Sequence, residues 1–246
     1  MNTEGVEVTI VYPAYNEASR IERAVDRAIE EISKVTTSFE IIIAEDGSSD
    51  GTDSVAERLS REHSQVRHLH SDERLGRGKA LNRAFKQSQG SILIYMDVDL
   101  STEVGQLQSL INSIRRGNDI VTGSRMLPGS VVSRSRGRMI ASSSYNRLIR
   151  FLFETKVRDH QCGFKAFNKR SINRILDEVE DTHWFWDTEI LVVAAHHGYK
   201  IEEIPVNWVE GSETKVRILK DSAKMGFQAL RLWWRLNSTK KKQLAD

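Results

Sequence analysis

Short apolar runs and longer amphipathic segments alternate along the first half of this 246-residue chain. The apolar runs are rich in β-branched residues, and they predict strands at 6–12, 39–44, 66–69, 91–96 and 119–122. The amphipathic segments carry apolar residues at helical spacing, and they predict helices at 17–34, 54–62, 78–88 and 103–115. This order of elements predicts a doubly wound, mostly parallel α/β sheet with helices on both faces.

The second half of the chain has a less regular pattern. Residues 127–137 are rich in Pro, Gly and Ser, which is typical of a loop. Beyond it the pattern predicts helices at 139–154, 186–196 and 220–236 and a strand at 201–208. We expect one α/β domain, divided into a first half at 1–124, a second half at 125–219 and a C-terminal amphipathic helix with a basic tail at 220–246.

Polar residues follow four of the predicted strands where each strand ends. They fall at 15–17, 45–47, 97–99 and 123–125. Because the carboxyl ends of parallel strands meet at one edge of a sheet, these residues are predicted to form a common ligand site.

Two aspartates in this set, Asp97 and Asp99, directly follow an apolar strand. Aspartate is a poor strand former, so a pair at this position suggests a divalent cation held against a diphosphate. An ordinary acidic turn is the alternative. Asp46, at a neighbouring strand end, favours the cation and is a candidate acceptor for hydrogen bonds from a base or ribose; a strand-to-helix turn would also explain it.

Basic residues form two further candidate phosphate sites. The segment 74–79 (RLGRGK) could bind phosphate, although it matches neither a P-loop nor a dinucleotide fingerprint. Arginines surround the predicted loop, at Arg125, Arg134, Arg136 and Arg138. Guanidinium groups grip phosphate through two parallel hydrogen bonds, but a solvated basic loop is equally compatible with this pattern.

The net charge of +2 hides a strong segregation of charge. Residues 1–124 carry −6, 125–170 carry +9, 171–214 carry −8 and 215–246 carry +7. The basic blocks favour phosphate ligands, including lipid headgroups. Aromatic residues make up 7 % of the chain and are not interleaved with the basic ones, which argues against nucleic acid as a partner.

The location of the protein is constrained by its cysteine content and hydropathy. The single cysteine, Cys162, suits a reducing compartment, and the first residues show neither a signal peptide nor a membrane span.

Four histidines and a tryptophan pair can also be considered as site residues. His160, His183, His196 and His197 have no metal-ligand spacing and are predicted to be surface residues. Trp233 and Trp234 precede a Lys-rich tail, so the last helix could bind a membrane surface or the core.

Eight short motifs, in a fixed order along the chain, resemble those of a known protein family. They are VYPAYNE at 11–17, EDGSSDGT at 45–52, LGRGKAL at 75–81, DVDLST at 97–102, GSR at 123–125, QCGFKAF at 161–167, WFWDTEIL at 184–191 and VNWVEGS at 206–212. The chain resembles the family 2 glycosyltransferases of the GT-A fold. More narrowly, it resembles dolichyl-phosphate glucosyltransferases and dolichyl-phosphate mannose synthases.

The resemblance implies a role for each matching residue. It assigns the nucleotide-sugar donor to Pro13, Tyr15, Glu17, Asp46, Lys79 and Asp97. It assigns Mg²⁺ or Mn²⁺ to Asp97 and Asp99, and the phosphate of a polyprenyl or dolichyl acceptor to Arg125, Arg134, Arg138 and Arg217. It makes Asp99, Arg125 and Asp187 the catalytic residues. The first half of the domain would then bind the donor and the second half the acceptor.

Two departures from the family pattern bear on the donor. Glu45 stands where Asp is commoner, and Ser101 stands where mannose synthases tend to carry Gln. The resemblance therefore favours glucose from a UDP-sugar, with GDP-mannose as the alternative. We expect a peripheral enzyme at the cytoplasmic membrane face.

The predicted reaction is a single displacement with inversion by the acceptor phosphate. Its oxygen is already ionised at pH 7 and needs no base. A sugar hydroxyl as acceptor would instead require a carboxylate base, for which Asp187 and Glu189 are the candidates. A third possibility is a module that binds sugar nucleotide or nucleic acid without catalysis.

Overall fold

The computed structural model describes residues 5–211 and 218–243 of the chain, with the side chains of 224–238 in the last helix. In the first half, five strands alternate with four helices: β1 (Val8–Ala14), α1 (Ile21–Ile32), β2 (Phe39–Glu45), α2 (Thr52–Glu62), β3 (Val66–Leu69), α3 (Arg77–Gln87), β4 (Ile92–Met96), α4 (Leu107–Arg115) and β5 (Ile120–Ser124). Every element that the periodicity predicts in this half is present. A short 3-10 turn at Val104–Gln106 precedes α4.

The second half contributes the remaining strands and helices. They are β6 (Val131–Ser133), α5 (Arg136–Phe153), β7 (Phe164–Asn168), α6 (Lys169–Ile175), α7 (Trp186–His196), β8 (Ile201–Pro205), β9 (Asn207–Val209) and α8 (Ile218–Gln243). The prediction of a loop at 127–137 was wrong in part, because β6 and the start of α5 lie within it. The predicted strand at 201–208 is two strands, separated by Val206.

Seven strands form one mostly parallel sheet with the order β3-β2-β1-β4-β7-β5-β8. Strand β7 runs antiparallel to both of its neighbours, and the other pairs are parallel. Helices cover both faces, and two apolar clusters form the core, one on each face of the sheet. This arrangement confirms the predicted fold class. A second, two-stranded sheet pairs β6 with β9 in parallel.

Helix α8 packs one side against the core and leaves another exposed. Met225, Ala229 and Leu232 are buried at helical spacing. Phe227 and Trp234, by contrast, are 70 % and 72 % exposed. The helix therefore binds the core and still presents an apolar stripe. Within the described part of the chain, we find no helix whose length and hydropathy would let it cross a membrane.

Candidate active site

A pocket of about 320 Å³ opens at the carboxyl ends of the central strands. Its walls include most of the residues singled out in the sequence, namely Pro13, Tyr15, Glu17, Asp46, Asp97, Asp99, Arg125, Arg134, Arg138 and Asp187. These residues are up to 174 positions apart in the chain, from position 13 to position 187. The parallel sheet brings them together because its strands end at one edge.

The loops that follow β1 and β2 are joined by hydrogen bonds to each other. Asn16, whose φ is +52°, donates its backbone N–H to Ser48 Oγ at 3.0 Å, and its side-chain oxygen accepts from the Ser49 N–H at 2.9 Å. The Glu17 N–H donates to Thr52 Oγ1 at 2.8 Å. These bonds fix the positions of Tyr15 and Glu17 at the rim of the pocket.

Asp46 organises the next wall. Its two carboxylate oxygens accept hydrogen bonds from the backbone N–H groups of Leu75 at 2.7 Å and Gly76 at 2.9 Å. The guanidinium of Arg74 consequently lies over the Tyr15 ring, 3.7 Å from its centroid. Asp46 thus holds the RLGRGK segment in place, a role beyond the donor contact predicted for it.

The two aspartates after β4 lie at the floor of the pocket. Leu100 adopts a left-handed conformation (φ +51°), and the Ser101 N–H donates to Asp99 Oδ1 at 2.9 Å. Gly163 packs so closely against Asp97 that a Cβ at this position would lie 1.7 Å from Asp97 Oδ2. The glycine of the QCGFKAF motif therefore makes room for the Asp97 carboxylate.

The charge of this aspartate pair fits a divalent cation. Burial, and then the neighbouring carboxylate of Asp97, raise the pKa of Asp99. A carboxylate that is destabilised in its charged form by a second carboxylate is stabilised by a hard cation between them. Oxygen donors are also the ligands that Mg²⁺ and Mn²⁺ prefer. Asp97 and Asp99 would hold such an ion.

Arg77 connects the floor of the pocket to α7; it lies in the segment 74–79 that was predicted to bind phosphate, but no role of its own was predicted for it. Its guanidinium donates to Asp97 Oδ1 at 2.7 Å and to Asp187. Asp187 also accepts from Lys165 Nζ at 2.7 Å and from the Tyr95 hydroxyl. Burial raises the pKa of Asp187 and lowers that of Lys165. The Asp187 carboxylate is thus engaged by three side chains.

A group of arginines also contributes to the pocket wall. Arg125 donates from Nε and Nη2 to the two oxygens of the buried Asp159, at 2.7 and 2.8 Å. Burial raises the pKa of Asp159, but the Arg125 guanidinium outweighs it and leaves that pKa below its usual value. Nη1 is the Arg125 nitrogen that Asp159 does not engage. The centroid of the Trp208 ring lies 5.4 Å from the guanidinium carbon of Arg125 and 5.4 Å from that of Arg134.

Arg134 is the arginine with the least compensated charge. Its Nε is buried and has no hydrogen-bond partner among the residues that the structure describes. Burial, and then the positive charge of Arg125, lower the pKa of Arg134. Arg138, by comparison, pairs with Glu210. A desolvated guanidinium beside a second one is a site for an anion.

Three predicted residues are not placed in the pocket. Arg136, a candidate phosphate ligand from the basic loop, is exposed at the start of α5, outside the pocket walls. Lys79 is exposed on α3, outside the pocket walls. The helix explains this position, because Arg77 shares a face with the buried Ala80, Leu81 and Ala84, whereas Lys79 is two positions out of phase. Arg217 lies outside the described residues, so its predicted phosphate contact stays a prediction.

The glycines of the RLGRGK segment serve packing within the protein. A Cβ on Gly76 would lie 2.4 Å from the Thr182 carbonyl oxygen, and one on Gly78 would lie 2.7 Å from that of Asp181. The backbone N–H of Gly78 donates to Thr182 O at 2.9 Å. The glycines thus allow α3 to approach the loop before α7, and this contact accounts for them.

The prediction that His160 lies at the surface was wrong. Its side chain is completely buried, and its backbone N–H and Nδ1 both contact Asn146 Oδ1, at 2.9 and 2.8 Å. Burial lowers the pKa of His160 to about 3. His183 lines the pocket, whereas His196 and His197 are exposed as predicted.

Comparison with known proteins places this geometry in a family. The model of the family described as Glycosyl transferase family 2 matches residues 9–176. Glycosyltransferase AglD of Haloferax volcanii is 47 % identical over 94 % of this chain, which spans 38 % of that protein. The dolichyl-phosphate beta-glucosyltransferase of Saccharomyces cerevisiae is 30 % identical over 90 % of this chain and 72 % of that protein.

A solved structure shares the fold at much lower sequence identity. It is glucosyl-3-phosphoglycerate synthase from Mycobacterium tuberculosis, in complex with Mn²⁺, uridine diphosphate and glucosyl-3-phosphoglycerate. The TM-score is 0.68 at 17 % identity, and the match covers 94 % of this chain and 80 % of that chain. The sheet described above is therefore of the GT-A type.

Proposed function

The chain belongs to glycosyl transferase family 2 and is a glycosyltransferase, and on that premise we propose that it transfers a hexose from a nucleotide-sugar to the phosphate of a polyprenyl or dolichyl lipid. Glucose from UDP-glucose is the favoured donor. The relatives named above support this choice, since one is a dolichyl-phosphate glucosyltransferase and one structure holds uridine diphosphate and Mn²⁺.

One observation carries the proposal, which is that the pocket wall contains both a pair of carboxylates and a group of arginines. Asp97 and Asp99 supply the carboxylates, and Arg125, Arg134 and Arg138 supply the guanidinium groups. A donor diphosphate needs a cation between itself and the carboxylates, whereas an anionic acceptor needs positive charge from the protein. The pocket supplies both requirements within one space.

The surroundings of the candidate bases favour a phosphate nucleophile over a hydroxyl. Asp187 is 4 % exposed and already engaged by Arg77, Lys165 and Tyr95. Glu189 accepts from the Asp181 N–H and from Arg235, each at 2.7 Å, and it is not part of the pocket wall. Both carboxylates are therefore less available to remove a proton from an acceptor hydroxyl than an unengaged carboxylate would be. A phosphate acceptor requires no such base.

In the proposed step an acceptor phosphate oxygen attacks the anomeric carbon. The bond from that carbon to the donor's β-phosphate oxygen breaks, and the nucleoside diphosphate leaves with the electron pair. A cation bound by Asp97 and Asp99 would neutralise charge on the departing diphosphate. Arg125 and Arg134 hold the acceptor phosphate against its repulsion by the donor, and Arg77 keeps Asp97 oriented.

A membrane-facing surface next to the pocket suits a lipid acceptor. Helices α5 and α8 pack together and both contribute to the pocket wall, through Tyr145 and Met225 among others. Their outer sides carry exposed apolar residues, namely Met139, Ile140, Leu148, Phe151, Phe227, Leu230, Trp233 and Trp234. We call this set the α5–α8 surface. Arg147, Arg150 and Arg231 are also exposed on these helices, which favours an anionic bilayer as the occupant.

We place the enzyme at the cytoplasmic face of that bilayer. The unpaired, buried Cys162 suits a reducing compartment. Fractionation of cells of the source organism, followed by protease treatment of sealed membrane vesicles of known orientation, tests this location. Protection of the protein in cytoplasmic-side-in vesicles is expected, and its digestion there would place it on the opposite face.

The proposed reaction is tested with a panel of UDP- and GDP-sugars, Mg²⁺ or Mn²⁺, and a short polyprenyl phosphate. We expect one lipid-extractable sugar phosphate, formed from UDP-glucose and lost when EDTA is added. The same product from GDP-mannose would replace the donor assignment. Transfer to the corresponding polyprenol, but not to its phosphate, would overturn the acceptor assignment.

A further inference from the structure

A second cluster of metal-ligating side chains lies on the other side of the strand that carries Asp46. Glu45, His68 and His70 each offer one ligand atom, and these atoms lie within 4.8 Å of one another. Glu45 precedes Asp46, so the two side chains point to opposite faces of the sheet. Asp46 lines the pocket, and the histidine cluster faces away from it.

The strand geometry explains why these three residues converge. His68 and His70 are two positions apart at the end of β3, and a period of two places both imidazoles on one face. Strand β2 is parallel to β3, with Ile43 paired to His68. Glu45 therefore follows Ile43 by the same two positions and reaches the level of His70.

In this cluster Glu45 and His70 contact each other directly, and His68 supplies a nitrogen without a partner among the described residues. Glu45 is completely buried, and its carboxylate contacts the Ser48 N–H at 2.5 Å and His70 Nδ1 at 2.6 Å. His68 Nε2 is buried without a hydrogen-bond partner in the described part of the protein. A buried carboxylate is costly unless a cation balances it. Asp72 contacts the other nitrogen of His70 at 3.2 Å, as carboxylates do behind metal-bound histidines.

We propose that Glu45, His68 and His70 form a binding site for a first-row transition metal ion of the Zn²⁺ type, separate from the site at Asp97 and Asp99. Two imidazoles and a carboxylate are a common ligand set for Zn²⁺. Mg²⁺ prefers oxygen ligands alone and binds such a site poorly. The two sites therefore select different ions.

The ion would stabilise the donor side of the pocket from behind. Glu45 holds Ser48, which in turn accepts the Asn16 N–H in the loop after β1. His70 leads directly into the segment that carries Arg74 over Tyr15. Linking Glu45 to His68 and His70 connects these two segments at their base. Binding is consequently expected to raise the melting temperature.

The test measures Zn²⁺ binding by titration calorimetry on tag-free, EDTA-treated protein without nucleotide. An Asp99→Asn background removes the other cation site, so the outcome does not depend on whether the chain transfers sugar. We expect one Zn²⁺ per chain. At 100-fold excess over its Kd the melting temperature should rise by about 5 to 10 °C. Mg²⁺ at the same concentration should produce neither effect.

Variants assign the site to these residues. His68→Asn and Glu45→Gln should each weaken Zn²⁺ binding at least tenfold, whereas His196→Ala, on the exposed end of α7, should leave it unchanged. Glu45 is buried, so circular dichroism in EDTA checks that its variant folds, and His68→Asn stands as the second test. Unchanged Zn²⁺ affinity in folded His68→Asn, or equal binding of Mg²⁺, would overturn the proposal.

Discussion

At the residue scale, the space between Asp97 and Gly163 is the tightest constraint in the site. Gly163→Ala would place a methyl group 1.7 Å from Asp97 Oδ2, so the carboxylate must move. We expect at least a tenfold loss of kcat/KM and weaker activation by Mn²⁺, because a misplaced carboxylate cannot hold the ion. Steady-state kinetics at varied Mn²⁺ concentration measure both effects.

Gly137 offers a matched control for that substitution. It lies in α5, and a Cβ there meets no heavy atom within 4 Å. Gly137→Ala should leave kcat/KM and the Mn²⁺ response unchanged. Full activity in Gly163→Ala would show that the placement of Asp97 tolerates movement, and that the glycine serves the backbone alone.

Asp99 is the residue on which metal dependence is expected to rest. Asp99→Asn keeps the size of the side chain and removes its charge, so a diphosphate and its cation lose one anionic ligand. A loss of about 3 kcal/mol of transition-state stabilisation corresponds to a decrease of about 100-fold in kcat. Initial rates with Mn²⁺ and UDP-glucose provide the measurement.

An exposed aspartate serves for comparison with Asp99. Asp26 lies on the solvent side of α1, and Asp26→Asn should retain the rate of the unmodified enzyme. If Asp99→Asn also retained it, the cation would have to be bound elsewhere and the assignment of this pair would be wrong.

The limits of sequence reasoning at this scale are visible in α3. The sequence assigned Lys79 to the donor, but the helix turns Lys79 outward and Arg77 inward. The spacing of Ala80, Leu81 and Ala84 contained this information, because it defines the buried face. The pairing of Arg125 with Asp159, across 34 positions, left no such signal.

At the scale of elements, periodicity predicted the first half of the fold because most of its strands are rich in apolar, β-branched residues. Strand β7 was not predicted. Lys165 is its second residue and is completely buried, so a charged residue interrupts the apolar run. The compensation for that charge comes from Asp187, on a helix 22 positions later. A local pattern cannot contain a partner that tertiary structure supplies.

Helix α8 carries two apolar stripes, and the outer one gives a testable prediction. Phe227 and Trp234 are exposed on the α5–α8 surface. Replacing both with Ser should decrease binding to anionic vesicles at least tenfold, since each buried aromatic contributes about 1.5 to 3 kcal/mol. Co-sedimentation with vesicles of phosphatidylglycerol and phosphatidylcholine, at two salt concentrations, measures the change.

Another exposed apolar residue shows whether the effect belongs to this surface. Val131 is 67 % exposed on β6, outside α5 and α8. Val131→Ser should bind vesicles as the parent does. Equal binding by the Phe227 and Trp234 double variant would exclude the α5–α8 surface as the membrane contact and would leave the proposed sugar transfer untouched.

At the scale of the whole molecule, the acidic and basic segments of the chain contribute carboxylates and arginines to one pocket. The acidic first half supplies Asp97 and Asp99, and the basic segment that follows supplies Arg125 and Arg134. The sequence predicted that these acidic and basic residues would lie close together, because parallel strands end at one edge of the sheet. Which of these charges are neutralised inside the protein depends on partners distant in sequence. The sequence does not distinguish the two arginines. The structure shows that Arg125 is paired with Asp159, whereas Arg134 Nε has no hydrogen-bond partner among the described residues.

The buried His160 is expected to make the free energy of unfolding depend on pH in the acid range. Its pKa is lowered by burial from 6.5 to about 3, so the unfolded chain binds a proton between these values and the folded chain does not. Stability is therefore retained above pH 6.5 and is lost as the pH falls towards 3. Lowering the pH from 7.5 to 5 should cost about 2 kcal/mol through this residue. Urea denaturation at the two pH values measures the loss.

Carboxylates also titrate in this range, so the contribution of His160 must be separated by substitution. Asn can donate a hydrogen bond to Asn146 Oδ1 but does not ionise, so His160→Asn should lose about 2 kcal/mol less than the parent over the same interval. His63→Asn, at the end of α2, should show the full parental loss. Parallel pH dependence in His160→Asn and the parent would mean that the folded protein accommodates a charged imidazole there. Asp159 is the carboxylate that would balance this charge, because its own charge opposes the lowering of the His160 pKa.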